Sequence, residues 1–257
     1  MKHGLPFTTA YHTRFPEYLY ARLRIPLSWT YAYLRWFHGP SKAILAPTQF
    51  VVRDLEDVGF RNVRLWPRGV DHTIFRPREV NRLGTTPPIF LYVGRVTVEK
   101  NIEAFLALDL PGSKWVAGAG TAVEGVKRRY PDVNYLGLLN QEQLAEVCAS
   151  ADVFVFPSKT DTFGLVLLET LACGLPVAAY PVTGPLDVIG DSKAGALHED
   201  LRTACLEAVK LRREDAVEHS RNFSWRAATE QFLSYLHPRT RNIEPAVDIR
   251  RPHTAQG

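Results

Sequence analysis

From residue 89 onward, short apolar runs of strand length alternate with helix-length amphipathic stretches, and this alternation admits few folds. Ile89-Phe90-Leu91-Tyr92-Val93 is an unbroken apolar strand that stops at Gly94. Residues 114–117, 133–136, 153–156 and 176–180 read as four further strands. Residues 101–108, 122–129, 141–150 and 163–173 read as the intervening helices, the last closed by Gly174. Strands joined through helices predict a parallel, doubly wound α/β sheet, in which ligands sit at the carboxyl ends of the strands. Function is therefore expected in the loops after Val93, Ala117, Leu136, Phe156 and Tyr180.

The first 80 residues are less regular. Residues 6–11, 42–46 and 62–66 are candidate strands, with candidate helices at 18–24, 30–38 and 50–58, the last capped by Gly59. A polar, proline-rich stretch over 76–88 is the expected hinge. Residues 1–80 carry twelve Lys/Arg against six Asp/Glu, a net +6, although the whole chain is only +4. Ten aromatic residues, among them Trp29, Tyr31, Tyr33 and Trp36, fall in the first 37. Such a front end suits an anionic membrane surface, a lipid-linked acceptor, nucleic acid or a buried domain interface. Without a nucleic-acid-binding motif, the nucleic-acid reading ranks last. After residue 237 the periodicity disappears, so a disordered tail is expected over 238–257. No apolar run approaches the roughly twenty residues a membrane span requires, and the start lacks a signal-peptide core. The expectation is a soluble, cytosolic chain in which Cys148, Cys173 and Cys205, with no paired spacing, are buried thiols.

Two loops carry chemistry. Gly94-Arg95-Val96-Thr97-Val98-Glu99-Lys100-Asn101 places two cations between a strand end and a helix start, which fits a diphosphate. After the fourth strand, Asp161 stands at the mouth of the next helix and Glu169 two turns in, following four apolar residues. A carboxylate there is costly unless it faces a polar cavity, whereas Asp161 could equally be an ordinary helix cap. Amides near Phe163, Gly164 and Leu165 would add a dipole favouring anions. Gly118-Ala119-Gly120 follows a strand, but Val123 takes the place of a dinucleotide fingerprint's third glycine. Metal-ligand spacings are missing, so neither a metal nor any other cofactor is expected.

Together, Gly94-Arg95 with Glu99-Lys100-Asn101, Asp161-x7-Glu169 around Phe163-Gly164, and Arg68-Gly69-Val70-Asp71 with Phe75-Arg76-Pro77 resemble the retaining nucleotide-sugar glycosyltransferases of the GT-B type, family 4. That group contains bacterial mannosyltransferases and glycolipid synthases. The resemblance runs from about residue 5 to about residue 236 and implies a Rossmann-like donor-binding domain over 81–222. It further implies a partial second Rossmann-like domain over 1–80 and a helix over 223–237 that crosses back to it. Asp161 stands where many members have Glu. By resemblance Asp161 contacts the donor sugar, Glu169 the ribose, and Arg95 and Lys100 the diphosphate. Gly94, Gly118, Leu136, Phe163, Gly164 and Leu165 would line the donor, and His12 would lie over the cleft.

The implied activity is transfer of a hexose, with mannose as a candidate, from a nucleoside diphosphate sugar to a lipid or glycan acceptor. The expected location is cytoplasmic, with peripheral contact at the inner membrane surface through residues 1–80. Against the family pattern, the amino-terminal domain is short by roughly a hundred residues. The alternative is thus a truncated, non-catalytic nucleotide-sugar-binding fragment.

Overall fold

A strand buried on both faces needs helices above and below it, and the central strand of this chain shows how the sequence meets that demand. In the computed structural model, which describes residues 6–79, 85–159, 161 and 163–236, alternate residues of Ile89–Val93 enter opposite cores. Ile89 and Leu91 join Phe154, Leu167, Leu168 and Leu171 on one face, while Phe90 and Tyr92 join Ile102, Phe105 and Val155 on the other. All of these side chains are buried. At roughly 25 cal/mol per Å² of apolar surface removed from water, such clusters are what hold the layers together.

The strands are β1 (Thr8–Ala10), β2 (Ala43–Ala46), β3 (Val63–Leu65), β4 (Ile89–Val93), β5 (Ser113–Ala117), β6 (Asn134–Gly137), β7 (Val153–Phe156), β8 (Val177–Ala179) and β9 (Gly195–Leu197). Among the described residues they form two sheets, ordered β1-β2-β3 and β6-β5-β4-β7-β8-β9, with every pairing parallel. Phe90 sits between Lys114 and Val153, and Leu91 between Trp115 and Phe154. After β6 the chain crosses to the other side of β4, so the strand order reverses between β4 and β7. A doubly wound sheet opens its ligand crevice at such a switch point.

The helices are α1 (Phe15–Leu23), α2 (Leu27–His38), α3 (Gln49–Asp57), α4 (Ile102–Leu106), α5 (Val123–Arg129), α6 (Gln141–Ser150), α7 (Leu165–Ala172), α8 (Thr183–Val188), α9 (Leu201–Ala208), α10 (Arg213–Ser220) and α11 (Trp225–Ser234). Their starts follow local chemistry. The Thr48, Asp200 and Ser224 side chains accept first-turn amides of α3, α9 and α11, and Asn140 with Gln143 closes a capping box on α6. Helix α11 returns to the first sheet: Trp66 Nε1 donates to the Ala228 carbonyl at 2.9 Å, and Tyr235 donates its hydroxyl proton to the Leu65 carbonyl at 3.1 Å.

The five strands expected after residue 88 are all present, together with a sixth, β9. Its Gly-Ala-Leu sequence has no apolar run to mark it, and it is held by backbone pairing to β8. Helices α8, α9 and α10 were likewise not foreseen. The helix expected over 163–173 begins only at Leu165, because Gly164 adopts a positive φ of 76° and turns the chain into it. The helix expected over 101–108 shrinks to Ile102–Leu106, since Asn101 is left-handed at φ 54° and a short 3-10 turn, Val98–Lys100, precedes it. The three front strands and three front helices stand where the pattern puts them, with ends shifted by at most three residues. All three cysteines are free and buried. The expected tail over 238–257 lies outside the described residues, as do residues 80–84 of the expected hinge.

Candidate functional site

Three loops at the carboxyl edge of the larger sheet lock onto one another through their backbones. The Gly94 amide donates to the Ala117 carbonyl at 3.0 Å, Val96 to Ala119 at 2.9 Å, and Gly118 to Gly137 at 2.7 Å. The approach is too close for a side chain. A Cβ on Gly118 would stand 1.9 Å from the Gly94 carbonyl oxygen, at a φ of +143°. Tyr92 donates its hydroxyl proton to the Arg95 carbonyl at 2.7 Å and pins the same loop from below. Burial pushes the Tyr92 hydroxyl pKa up, with the Asp161 charge adding to it, so the proton stays in place for that bond.

A cavity of about 220 Å³ opens between the ends of β4 and β7, the switch point of the sheet. Its walls include Gly94, Arg95 and Lys100 from one loop and Ser158, Asp161, Gly164 and Leu165 from the other. A second cavity of about 190 Å³ shares Val93, Gly94 and Arg95 and continues along Gly118, Leu138, Leu139 and Leu144. The two cavities adjoin along Val93, Gly94 and Arg95 as a trough whose one end carries Lys100 and Asp161 and whose other end is mainly apolar.

At the charged end the Lys100 ammonium donates to an Asp161 carboxylate oxygen in a close ion pair, with both side chains about four-fifths buried. Asp161 is thereby not a helix cap, the bland alternative left open by the sequence. Position N-cap of α7 belongs to Gly164, which has no side chain to cap the helix. Asn101 Nδ2 donates to the Pro157 carbonyl at 3.1 Å and braces the Lys100 turn against the segment carrying Asp161. Glu169 lies one turn along α7 from Leu165, on the same helix face and half-buried. Burial raises its pKa, and its charge bears on the Cys148 thiol of α6.

The structure therefore gathers Gly94, Arg95, Lys100, Asp161, Gly164, Leu165 and Gly118 around one trough. Phe163 is buried in the core beneath it, Leu136 is half-buried in β6 against the same core, and Glu169 lies a turn further along α7; none of the three lines either cavity. His12 is elsewhere. It borders a separate cavity of about 330 Å³ in the front body with Tyr11, Tyr33, Phe37 and His38, and its ring lies 5.6 Å from that of Trp66. Burial, then the Arg68 charge, lowers the His12 pKa. Sequence reasoning missed Tyr92, Asn101, Ser158, Leu138, Leu139 and Leu144. Leu138, 80% exposed beyond the end of β6, is an apolar residue in a loop expected to hold ligand, and that signal was available.

A reversed parallel sheet with a cation-lined trough at its switch point, tied by a returning helix to a second parallel sheet, is the GT-B architecture. Solved structures agree. Sucrose-phosphate synthase from Thermosynechococcus elongatus superposes with a TM-score of 0.77 over 91% of this chain and 67% of that one, at 22% identity. Anabaena HepE, crystallised with UDP and glucose, gives 0.71 over 89% and 70%, at 16% identity. The model described as Glycosyl transferases group 1 matches residues 87–211, and that described as Glycosyltransferase Family 4 matches residues 1–74. The chain belongs to this glycosyltransferase family. It is 30% identical to a sulfoquinovosyl transferase of Arabidopsis thaliana over 88% of this chain and 50% of that protein. It is 32% identical to a GDP-mannose-dependent alpha-mannosyltransferase of Mycobacterium tuberculosis over 76% and 54%. The chain thus spans about half the length of the curated relatives it matches.

Proposed function

We propose that the chain holds a nucleoside diphosphate sugar in this trough and acts as a retaining hexosyltransferase toward a lipid or glycan acceptor. The observation that carries the reading is the convergence of Arg95, Lys100, Asp161 and the first turn of α7 on one cavity at the switch point. As the bond between sugar and phosphate breaks, negative charge grows on the departing phosphate. Fixed cations and helix amides aimed there stabilise that charge without a metal. Glu169 is assigned to the ribose hydroxyls and the apolar end, with Gly118, to the base. Leu136 and Phe163 support the wall from behind, and His12 is kept as a candidate contact for the donor sugar.

The names of the relatives support a GDP-mannose or a UDP-sugar donor. With GDP-mannose, whose sugar is α-linked, a retaining enzyme gives an α-linked product. Proton NMR of the product reads the linkage, and a β linkage would contradict retention. The alternative of a chain that binds but does not transfer is favoured if donor binds and no nucleoside diphosphate is released.

Peripheral contact of the acceptor side with an anionic membrane is the finer reading of the front end. Along α2, Trp29, Tyr33, Trp36 and Phe37 are exposed, Trp29 and Trp36 by 72% and 73%, near the basic Arg22 and Arg24 of α1 and its end. Among the described residues no helix is long and apolar enough to cross a membrane. Co-sedimentation with anionic vesicles that is unchanged by Trp29→Ser and Trp36→Ser would count against this reading.

A further inference from the structure

The front body holds a cavity of about 330 Å³ at the carboxyl end of β1, walled by Tyr11, His12, Phe15, Tyr33, Leu34 and Phe37 among others. It faces the same gap as the trough. The Phe50 amide in the first turn of α3, just past β2, donates at 3.4 Å to an Asp187 carboxylate oxygen of α8, just past β8, so the carboxyl edges of the two sheets meet. The buried polar groups of the cavity wall are already engaged: His38 Nδ1 shares a hydrogen bond with the Thr9 hydroxyl at 2.8 Å, and the Tyr11 hydroxyl pairs with that of Tyr31, which donates to Glu17. A glycan filling this space would leave hydroxyls without partners, whereas a hydrocarbon segment gains about 25 cal/mol per Å² buried. His12 Nδ1, by contrast, has no partner, which suits a single hydroxyl at the edge of an otherwise apolar ligand.

The cavity also continues onto the surface. Phe15, Tyr33 and Phe37 line it and are still about half exposed. Tyr33 and Phe37 share one face of α2 with Trp29 and Trp36, and the Tyr33 and Trp36 rings lie 5.7 Å apart, so the exposed aromatic stripe runs into the cavity. Exposed Arg22 and Arg24 come just before this helix, and residues 1–80 carry twelve Lys/Arg against six Asp/Glu. A basic, aromatic helix face complements an anionic bilayer. We infer that the front cavity is an acceptor subsite for hydrocarbon: it takes the chain segment next to the acceptor hydroxyl of an anionic membrane lipid, entering over the α2 stripe, and makes the acceptor a lipid rather than a glycan. The inference rests on the transferase reading given above. With its chain seated there, the lipid presents its hydroxyl to the gap that the donor trough also faces.

Titration calorimetry of the full chain with monomeric dioctanoyl phosphatidylglycerol, and separately with GDP and UDP, tests this in wild type, Ala10→Phe and Phe37→Asp. The first variant fills the cavity from β1 and the second sets a charge at its mouth; both positions are exposed, so the fold should tolerate them. Wild type should bind the lipid, and each variant should bind it at least about tenfold more weakly, the scale of roughly two methylene groups kept out of an apolar site. Glycerophosphoglycerol, the same headgroup without chains, should not bind, and affinity for GDP and UDP should be the same in all three proteins. No lipid binding by wild type, undiminished lipid binding in both variants, or equally tight binding of the deacylated headgroup would overturn the inference. So would mannotriose binding that Ala10→Phe abolishes, which makes the occupant a glycan, or a wild-type dimer in sedimentation that Ala10→Phe dissociates, which makes it a second copy of the chain. If the lipid binds as expected and neither GDP nor UDP does, the transferase reading fails and the acceptor assignment with it, while the lipid site stands.

Discussion

The two sheets of this molecule solve the same packing problem to different degrees. In the larger one, β4, β7 and β8 are buried on both faces, and two apolar clusters press helices against them from either side. The smaller one has a single cluster around Ile44, Val51, Leu55 and Val63, a half-exposed edge strand β1, and aromatic side chains facing outward on α2. Its polar contacts are correspondingly prominent: Arg14 pairs with Asp54 at 2.6 Å, and Tyr31 donates to Glu17 at 2.5 Å. The trough lies on the first kind of scaffold, where close packing fixes the elements that carry its side chains. A surface that adapts to a large or membrane-bound partner is compatible with the second.

This contrast has measurable consequences. Phe154, fully buried at the centre of the larger sheet, should cost about 3–5 kcal/mol when replaced by alanine, read by chemical denaturation. A cost below about 1 kcal/mol would mean that the larger body is not the better packed one. Gly118→Ala comes next, on the order of 2–4 kcal/mol, because the new methyl group meets the Gly94 carbonyl at a backbone angle that disfavours any side chain. Loss of nucleotide binding should accompany it, since the same two glycines shape the trough.

The pH response should separate the bodies by sign. Burial lowers the pKa of His38 in the smaller body below its ordinary 6.5, so the unfolded chain binds a proton that the folded one resists. Stability contributed there is present above pH 6.5 and falls as the pH drops through 6.5 toward the lower folded value. Glu169 in the larger body behaves oppositely. Burial raises its pKa above 4.5, so its ionisation costs stability as the pH rises through that range. Urea unfolding across pH 5–8 should show a shallower acid limb for His38→Gln and greater stability at neutral pH for Glu169→Gln. An unchanged limb, or a destabilised Glu169→Gln, would contradict the assignment of these charges. The smallest effect is expected at Trp36, where replacement by serine should change stability by less than about 0.5 kcal/mol, because its ring is mostly in water.

The same contrast governs what was legible in the sequence. Strands buried on both faces are written as unbroken apolar runs, so β4 and β7 could be read residue by residue, and the loops that follow them could be named as ligand-bearing. Strand β9 and helices α8 to α10 leave no such mark. Strand β9 is placed by pairing with β8, α9 by packing on β8 and β9, and α8 and α10 by packing against α7, all of them tertiary effects. Arg95, Lys100 and Asp161 were legible as chemistry, because charged residues directly after buried strands have few structural uses. Their mutual arrangement was not, since the Lys100–Asp161 pair depends on the left-handed Asn101 and on how two loops 61 residues apart meet. The resemblance sets Leu136 and Phe163 beside the donor, whereas strand alternation and the turn at Gly164 pack both against the core.

The proposed function stands on a diphosphate site in the trough between β4 and β7, held by Arg95 and Lys100. Calorimetric titration of GDP and UDP into wild type, Arg95→Ala and Lys100→Ala measures it directly. Each replacement should weaken binding of the nucleotide that wild type accepts by about 1.5–3 kcal/mol, the scale of a hydrogen bond to a charged group, with the fold intact by circular dichroism. Wild-type affinity in both variants would contradict the account.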